Sequence, residues 1–401
     1  MAAPNHPVIE QLHVENYRVL RNITFDKLTP LTAFFGPNGS GKSTVFDVFA
    51  FLHEALTVGL RAACDARNRL SEIHSRNGQG PVVIQLKYRE GNPALDGQKY
   101  PLIRYRLEID ESRGRPVVLG ELLTWTTAPG SGRPRKIVDF KSGAGTVYDE
   151  TARELIPESL ESPDTLAVSA LGLLTRHPQV ASLRRFISGW YLSYISADAA
   201  RQIPAVGPQE LLSRSGDNLS NVLQHLQEHE PERLEAIFEA LRGLVPQLDR
   251  LIATPLPDGR LMLQVKDRPF GDPILSRHAS DGTLKLLAYL TVLRSAAPPA
   301  IIGIEEPENQ LHPRLLAVLA EEMRAAATAS QVLVTTHSPF FANALIAQEL
   351  WLLYRDQDGF ATTKRASGIP GVIAMTEAGG QLGDLWMEGY FGAGDPLRRA
   401  G

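Results

Sequence analysis

Between an apolar run, Leu31–Phe35, and an apolar-periodic stretch, Val45–Leu56, stand Gly36-Pro37-Asn38-Gly39-Ser40-Gly41-Lys42-Ser43. A buried strand, a glycine-rich turn and a helix in that order leave the chain few choices. The glycines let the backbone curl so that successive N–H groups point inward, toward an anion. The helix that opens near Lys42 adds its own unsatisfied N–H groups and the positive end of its dipole. The pattern GxxxxGK[ST] is the arrangement that cradles a triphosphate, with Lys42 reaching the β- and γ-phosphates and the Ser43 hydroxyl holding Mg²⁺. The same turn without a ligand is the bland alternative, and the bare pattern arises by chance too often to stand alone.

A second apolar run, Ala300–Ile304, ends in Glu305-Glu306-Pro307-Glu308. An apolar strand closing on two acids is the Walker B pattern, as Gly36–Ser43 is Walker A. Phosphoryl transfer needs little covalent chemistry, so a metal, a lysine and a water-orienting carboxylate make up most of the machinery. Glu305 is assigned to the metal and Glu306 to the general base. Glu305 stands where an aspartate is usual, and its longer side chain changes how it reaches the ion. An acidic cap on a helix N-terminus is the competing reading of these residues.

Two further segments give the order its meaning. Ala279-Ser280-Asp281-Gly282-Thr283-Leu284-Lys285 runs into an apolar helix, Leu286–Leu293, and Val332-Leu333-Val334-Thr335-Thr336 ends in His337-Ser338-Pro339. Gly282 precedes Glu305 by 23 residues, and His337 follows Glu305 by 32. This succession resembles the ATP-binding-cassette (ABC) ATPases, with Walker A, signature, Walker B, D-loop and switch histidine. Glu305-Glu306-Pro307-Glu308-Asn309-Gln310-Leu311-His312-Pro313 with Thr336-His337-Ser338-Pro339 looks like the RecF/SMC/OLD branch. Val14-Glu15-Asn16-Tyr17-Arg18 resembles that branch's first strand, and Leu382–Tyr390 the end of stand-alone bacterial AAA-family ATPases. The resemblance implies an α/β fold, a P-loop NTPase of ABC type: a two-lobed head with an antiparallel β subdomain and a helical insertion.

It also implies a site. ATP would be held by Gly36, Pro37, Asn38, Gly39, Ser40, Gly41, Lys42, Ser43 and Thr44, with Arg18 beside the phosphates or the adenine. Lys42, Glu306 and His337 would be the catalytic residues, with His337 sensing the γ-phosphate. Ser43 and Glu305 would hold Mg²⁺. Ser280 and Gly282 would act in trans, closing the γ-phosphate held by a second head, so that a homodimer sandwiches two ATP molecules. Asn309 and His312 would lie at the seam. A higher oligomer stays open, as does DNA as a partner. The setting implied is DNA maintenance or anti-phage defence, with a separate effector such as a nuclease. The alternatives are an ABC transporter ATPase subunit and a nucleotide-gated DNA clamp with little turnover. No guanine-reading NKxD motif occurs, which disfavours GTP.

Composition sets limits. The 401 residues are 43% hydrophobic, enough for a large core and for two or three domains. The single cysteine, Cys64, excludes an internal disulfide and fits a reducing, cytoplasmic setting. Met1–Pro7 lacks the regions of a signal peptide, and no apolar stretch approaches the roughly 20 residues that span a bilayer, so no membrane is expected. The formal charge of −4 gives no bulk drive toward nucleic acid.

Along the chain, strands are expected over Val8–Phe35 and at Val82–Tyr88, Leu102–Ile109, Glu121–Thr127 and Lys136–Phe140, parted by turns such as Ala128–Gly132. Helix is expected from Thr151 to about Leu192 and as a pair, Asn218–Leu226 and Pro231–Leu244, then a hairpin around Asp258-Gly259. The divisions are 1–150 (Walker A with the antiparallel sheet), 151–260 (mainly helical insertion) and 261–401 (signature, Walker B, D-loop and switch histidine). No sustained heptad predicts an SMC-like arm. Asp356-Gln357-Asp358-Gly359 reads as a hairpin turn, Arg133–Lys136 as a solvated basic loop, and Trp190, Tyr191 and Tyr194 as core. Arg184-Arg185 and Arg398-Arg399 suggest no more than solvated charge.

Overall fold

A computed structural model describes residues 5–126 and 134–394. The chain opens with β1 (Val8–Tyr17), β2 (Leu20–Asp26) and the fully buried β3 (Leu31–Phe35), then the helix Lys42–Thr57. Next come β4 (Val82–Arg89), β5 (Leu102–Ser112), β6 (Arg115–Thr126), β7 (Arg135–Lys141), β8 (Ala144–Asp149) and β9 (Glu154–Ser159). These pair with β1 and β2 in an eight-stranded sheet of order β2-β1-β4-β5-β6-β7-β8-β9, antiparallel throughout. The four expected strands are β4 to β7, with β6 starting earlier, at Arg115. The turn Ala128–Gly132, Thr127, Arg133 and Arg398-Arg399 lie outside the described residues.

The helical reading from Thr151 is corrected at its start. Glu154–Ser159 is an outer strand, largely exposed, paired along its length with β8. An edge strand carries no apolar alternation of its own, and its order comes from a neighbour's hydrogen bonds, so periodicity does not disclose it. Helices follow at Ala167–Leu171 and Pro178–Ser188. The stretch then turns extended as β10 (Tyr191–Ser193), which joins the second sheet. The helical pair forms as Leu219–His229 and Pro231–Leu244. The hairpin of β11 (Leu248–Pro255) and β12 (Leu261–Asp267) turns at Asp258-Gly259, and the short β13 (Ile274–Leu275) completes a three-stranded sheet.

The second sheet adds β14 (Ile301–Glu305), β15 (Gln331–Thr336), β16 (Leu350–Arg355) and β17 (Ala361–Arg365), in the order β10-β14-β15-β3-β16-β17. All pairs are parallel except the last, a hairpin whose turn holds Asp356–Gly359 as expected. Side chains alternate between the faces of this sheet and so divide the core in two. Phe34, Ile301 and Leu333 pack with the helix Lys42–Thr57 and the antiparallel sheet. Phe35, Ile302, Ile304, Val332 and Val334 pack with the helices Asp281–Leu293 and Pro313–Ala326 and the helical pair. Among the described residues no helix is long and apolar enough to cross a membrane.

The antiparallel sheet buries one carboxyl completely. Glu121 on β6 accepts hydrogen bonds from the Tyr105 hydroxyl (2.9 Å) and from the N–H groups of Ala167 and Val168 (3.0 Å for the latter), tying the sheet to the next helix. Burial pushes its pKa up to about 7 against these bonds. The folded state therefore holds this proton more tightly than the unfolded chain, so its stabilising effect is complete below pH 4.5 and fades as pH rises through 7. The shift corresponds to an effect on the order of 3 kcal/mol. Urea midpoints measured at pH 5 and pH 7.5 are expected to fall with rising pH, and Glu121→Gln should flatten that dependence.

Candidate functional site

The carboxyl ends of adjacent parallel strands form the crevice where open α/β sheets take ligands. Here the registers Glu305↔Thr335, Thr336↔Phe35 and Leu352↔Phe35 set the ends of β14, β15, β3 and β16 side by side. Glu305–Glu306, His337, the loop from Gly36 and Arg355 thereby share one edge, and Tyr194 follows β10 at its far end.

The loop is held open by its glycines. A Cβ on Gly36 would stand 2.1 Å from the Leu353 carbonyl oxygen, and Gly39 and Gly41 adopt φ of 77° and 108°. Lys42, buried at the start of its helix, donates Nζ–H to the Gly36 (2.8 Å) and Pro37 (3.0 Å) carbonyls. Burial lowers its pKa, while Glu306, Glu308 and Glu305 pull the other way. The buried Ser40 hydroxyl has no hydrogen-bond partner among the described residues. Thr44 follows in the first helical turn.

Glu305 is pushed up to about 7, first by burial, then by Glu306 and Asp47; a hydrogen bond with Ser43 and the charge of Lys42 oppose this. A hydroxyl and a crowded carboxylate are the donors a Mg²⁺ ion uses when phosphate and water supply the rest. Ser43 and Glu305 offer such a donor set, and among the described residues no cluster of three or more His, Cys, Asp or Glu side chains could hold a metal ion. Glu306 has left-handed backbone, φ 41°, a conformation that costs a non-glycine residue of order 1–3 kcal/mol and gathers at functional positions. Its carboxylate accepts from Asn309 Nδ2 at 3.0 Å, and His337 Nδ1 lies 3.5 Å from its other oxygen.

Other expected residues have closer partners than the sequence suggested. The Arg18 guanidinium pairs with Asp47 at 2.9 Å, and Asp47 also accepts from the Tyr17 hydroxyl and from Arg67, both at 2.7 Å. This knot fastens the end of β1 to the Walker A helix. Ser280 is the N-cap of the helix Asp281–Leu293, its hydroxyl accepting from Thr283 N–H at 3.1 Å. A Cβ on Gly282 would stand 2.9 Å from the Gln310 carbonyl oxygen, so signature and D-loop touch within one chain. His312 likewise caps the helix Pro313–Ala326. Tyr194 is not core: it is 45% exposed and meets Phe46 edge-on, because β10 ends at Ser193 and leaves it at the sheet's edge. Trp190 is buried as expected and Tyr191 partly so. Arg135 opens β7 instead of continuing a loop, one residue before the strand expected from Lys136.

The sequence family described as "AAA domain, putative AbiEii toxin, Type IV TA system" matches residues 31–343. The chain belongs to that family. Its fold is similar to an SMC head crystallised with the C-winged helix domain of ScpA (TM-score 0.55, 16% identity, 89% of this chain and 96% of that one). A second SMC head, from Thermotoga maritima, aligns at TM-score 0.46 and 13% identity over 89% and 98%. No curated protein matches the sequence.

One contact of the Walker A loop carries no mark in the sequence. Arg355, at the end of β16, donates Nε–H to the Gly39 carbonyl at 2.6 Å and a second N–H to the Gly359 carbonyl, clamping the apex of the Walker A loop. No motif marks it, since only the pairing of β16 with β3 brings it there. A single such bond to a charged donor is worth about 1.5 kcal/mol, less at a half-exposed position. Arg355→Ala should raise the Kd for a fluorescent ATP analogue about 5-fold and lower the melting temperature by no more than about 3 °C.

Proposed function

We propose that the head binds ATP with Mg²⁺, closes with a second copy around two nucleotides and hydrolyses them, using nucleotide state as a switch. The observation that carries this reading is that Lys42, Glu305, Glu306 and His337 lie at or just beyond the carboxyl ends of adjacent strands. Lys42 and the loop N–H groups would hold the β- and γ-phosphates, and Ser43 and Glu305 the ion, which supplies charge neutralisation at the transferred phosphoryl group. Glu306, aimed by its left-handed backbone and by Asn309, would take the proton of the attacking water. His337 would hydrogen-bond the γ-phosphate and register its departure.

A second copy would complete the site. Among the described residues no hydrogen bond or ion pair links Ser280–Gly282 to the loop Gly36–Ser43 of the same chain; the signature instead contacts Gln310, and Arg201 through Asp281. Its helix N-terminus is an anion site suited to a partner's γ-phosphate. The setting we assign, DNA maintenance or anti-phage defence with a separate effector such as a nuclease, follows the family and the resemblance of its motifs.

Light scattering after size exclusion is the decisive measurement. Glu306→Gln with ATP should elute as a dimer and lose at least about 10²-fold in turnover, the scale of a general base. Lys42→Ala should lose nucleotide affinity and remain monomeric. A wild-type head that stays monomeric when saturated with a non-hydrolysable analogue would overturn the composite pocket.

A further inference from the structure

The third acid of the Walker B run has no role so far. Glu308 is buried, 9% exposed, and lies 28 residues upstream of Thr336. Its Oε1 accepts from the Thr336 hydroxyl at 2.7 Å and from the His337 backbone N–H at 2.8 Å. The Thr336 oxygen in turn accepts from Ser338 N–H at 3.1 Å. The turn after β15 thus hangs on one carboxylate. The His337 ring stands over the same oxygen, Nδ1 at 3.2 Å, off the hydrogen-bond axis, while Glu308 Oε2 has no hydrogen-bond partner among the described residues.

The matching cation comes from the signature helix. Lys285, 4% exposed, donates to the Asn309 carbonyl at 2.9 Å. Among the charges that favour its ammonium form against burial, Glu308 is the largest. Asn309 uses its side-chain amide on Glu306. Two buried charges thus hold the segment around the general base, Glu308 tying it to the switch turn and Lys285 tying it to the signature helix. A buried carboxylate is costly without such partners, and here each partner belongs to an element that must keep its place.

We infer that Glu308 is the positioning residue of the switch histidine: it fixes the turn that carries His337 against the general base. The inference rests on the reading of His337 as the γ-phosphate sensor and assigns the group that aims it. Glu308 touches no reacting atom, so its removal lowers the rate chiefly through His337, its charge on Lys42 being the lesser effect.

A double-mutant cycle tests this. Glu308→Gln keeps an acceptor oxygen and the side-chain volume; it should lower kcat for ATP about 10-fold with KM within about 3-fold, while Glu308→Ala should cost about 100-fold, the scale of a misplaced catalytic group. In a His337→Ala background Glu308→Gln should change kcat by less than about 2-fold. If Glu308→Ala fails to fold, the Gln variant carries the test. An independent readout needs no turnover: in protein labelled at histidine nitrogen, the His337 ring resonance should move in Glu308→Gln and stay in Glu322→Gln, whose carboxylate pairs with Arg294 elsewhere. An unchanged kcat, a loss that persists undiminished without His337, or an unmoved ring signal overturns the inference. Absence of turnover in the wild type would instead sink the proposed hydrolysis and leave the ring signal to decide.

Discussion

Parallel pairing of β15 with β3, from Val332 opposite Leu31 to Thr336 opposite Phe35, is the constraint on which the site depends. It brings together segments some 300 residues apart and sets the turn after Thr336 beside the Walker A loop. Register in a buried sheet is strongly specified, because a one-residue slip would turn every apolar side chain to the wrong face. With β14 locked on one side of β15 and β16 on the other side of β3, the acids, the histidine and Arg355 are fixed with it. Gln331 reinforces the join: its side chain exchanges hydrogen bonds with the Ile9 backbone at 2.8 and 2.9 Å, fastening the central sheet to the antiparallel one.

The electrostatics of the edge explain why the acids are not interchangeable. Glu305 is raised toward neutrality by burial and by Glu306 and Asp47, and such crowding favours an incoming cation. Glu306 is strained at its backbone and held by Asn309. Glu308 lies deepest, saturating one oxygen with the donors of the switch turn. Three carboxylates within four positions thus differ through geometry: one faces the loop serine, one the edge, and one the interior.

The motifs were legible because their chemistry demands residue types at fixed spacing along the chain. Glycines at Gly36, Gly39 and Gly41, a lysine at a helix start and acids at a strand end announce themselves locally. The four alternating strands of the antiparallel sheet were equally readable, since period-two burial leaves its mark in the sequence. Less legible were β9, ordered by its neighbour instead of its own pattern, and Tyr194, whose apolar surroundings in sequence ended at the sheet's rim. Arg18 was expected beside the phosphates or the adenine; its ion pair with Asp47 depends on where the Walker A helix packs.

The amino-acid sequence by itself determined the chemistry on offer: an anion-cradling turn, a lysine, a pair of acids on a strand end, and a capped helix ready for a second anion. These are short-range facts of conformational preference and hydrogen-bond capacity. Only the tertiary structure decided which of these groups meet. Arg355 reaches Gly39, Lys285 reaches the Asn309 carbonyl and Glu308 reaches the turn of His337 across separations that no local pattern encodes. Buried polar groups must find partners wherever packing places them, and the identity of those partners is settled by sheet order and helix docking.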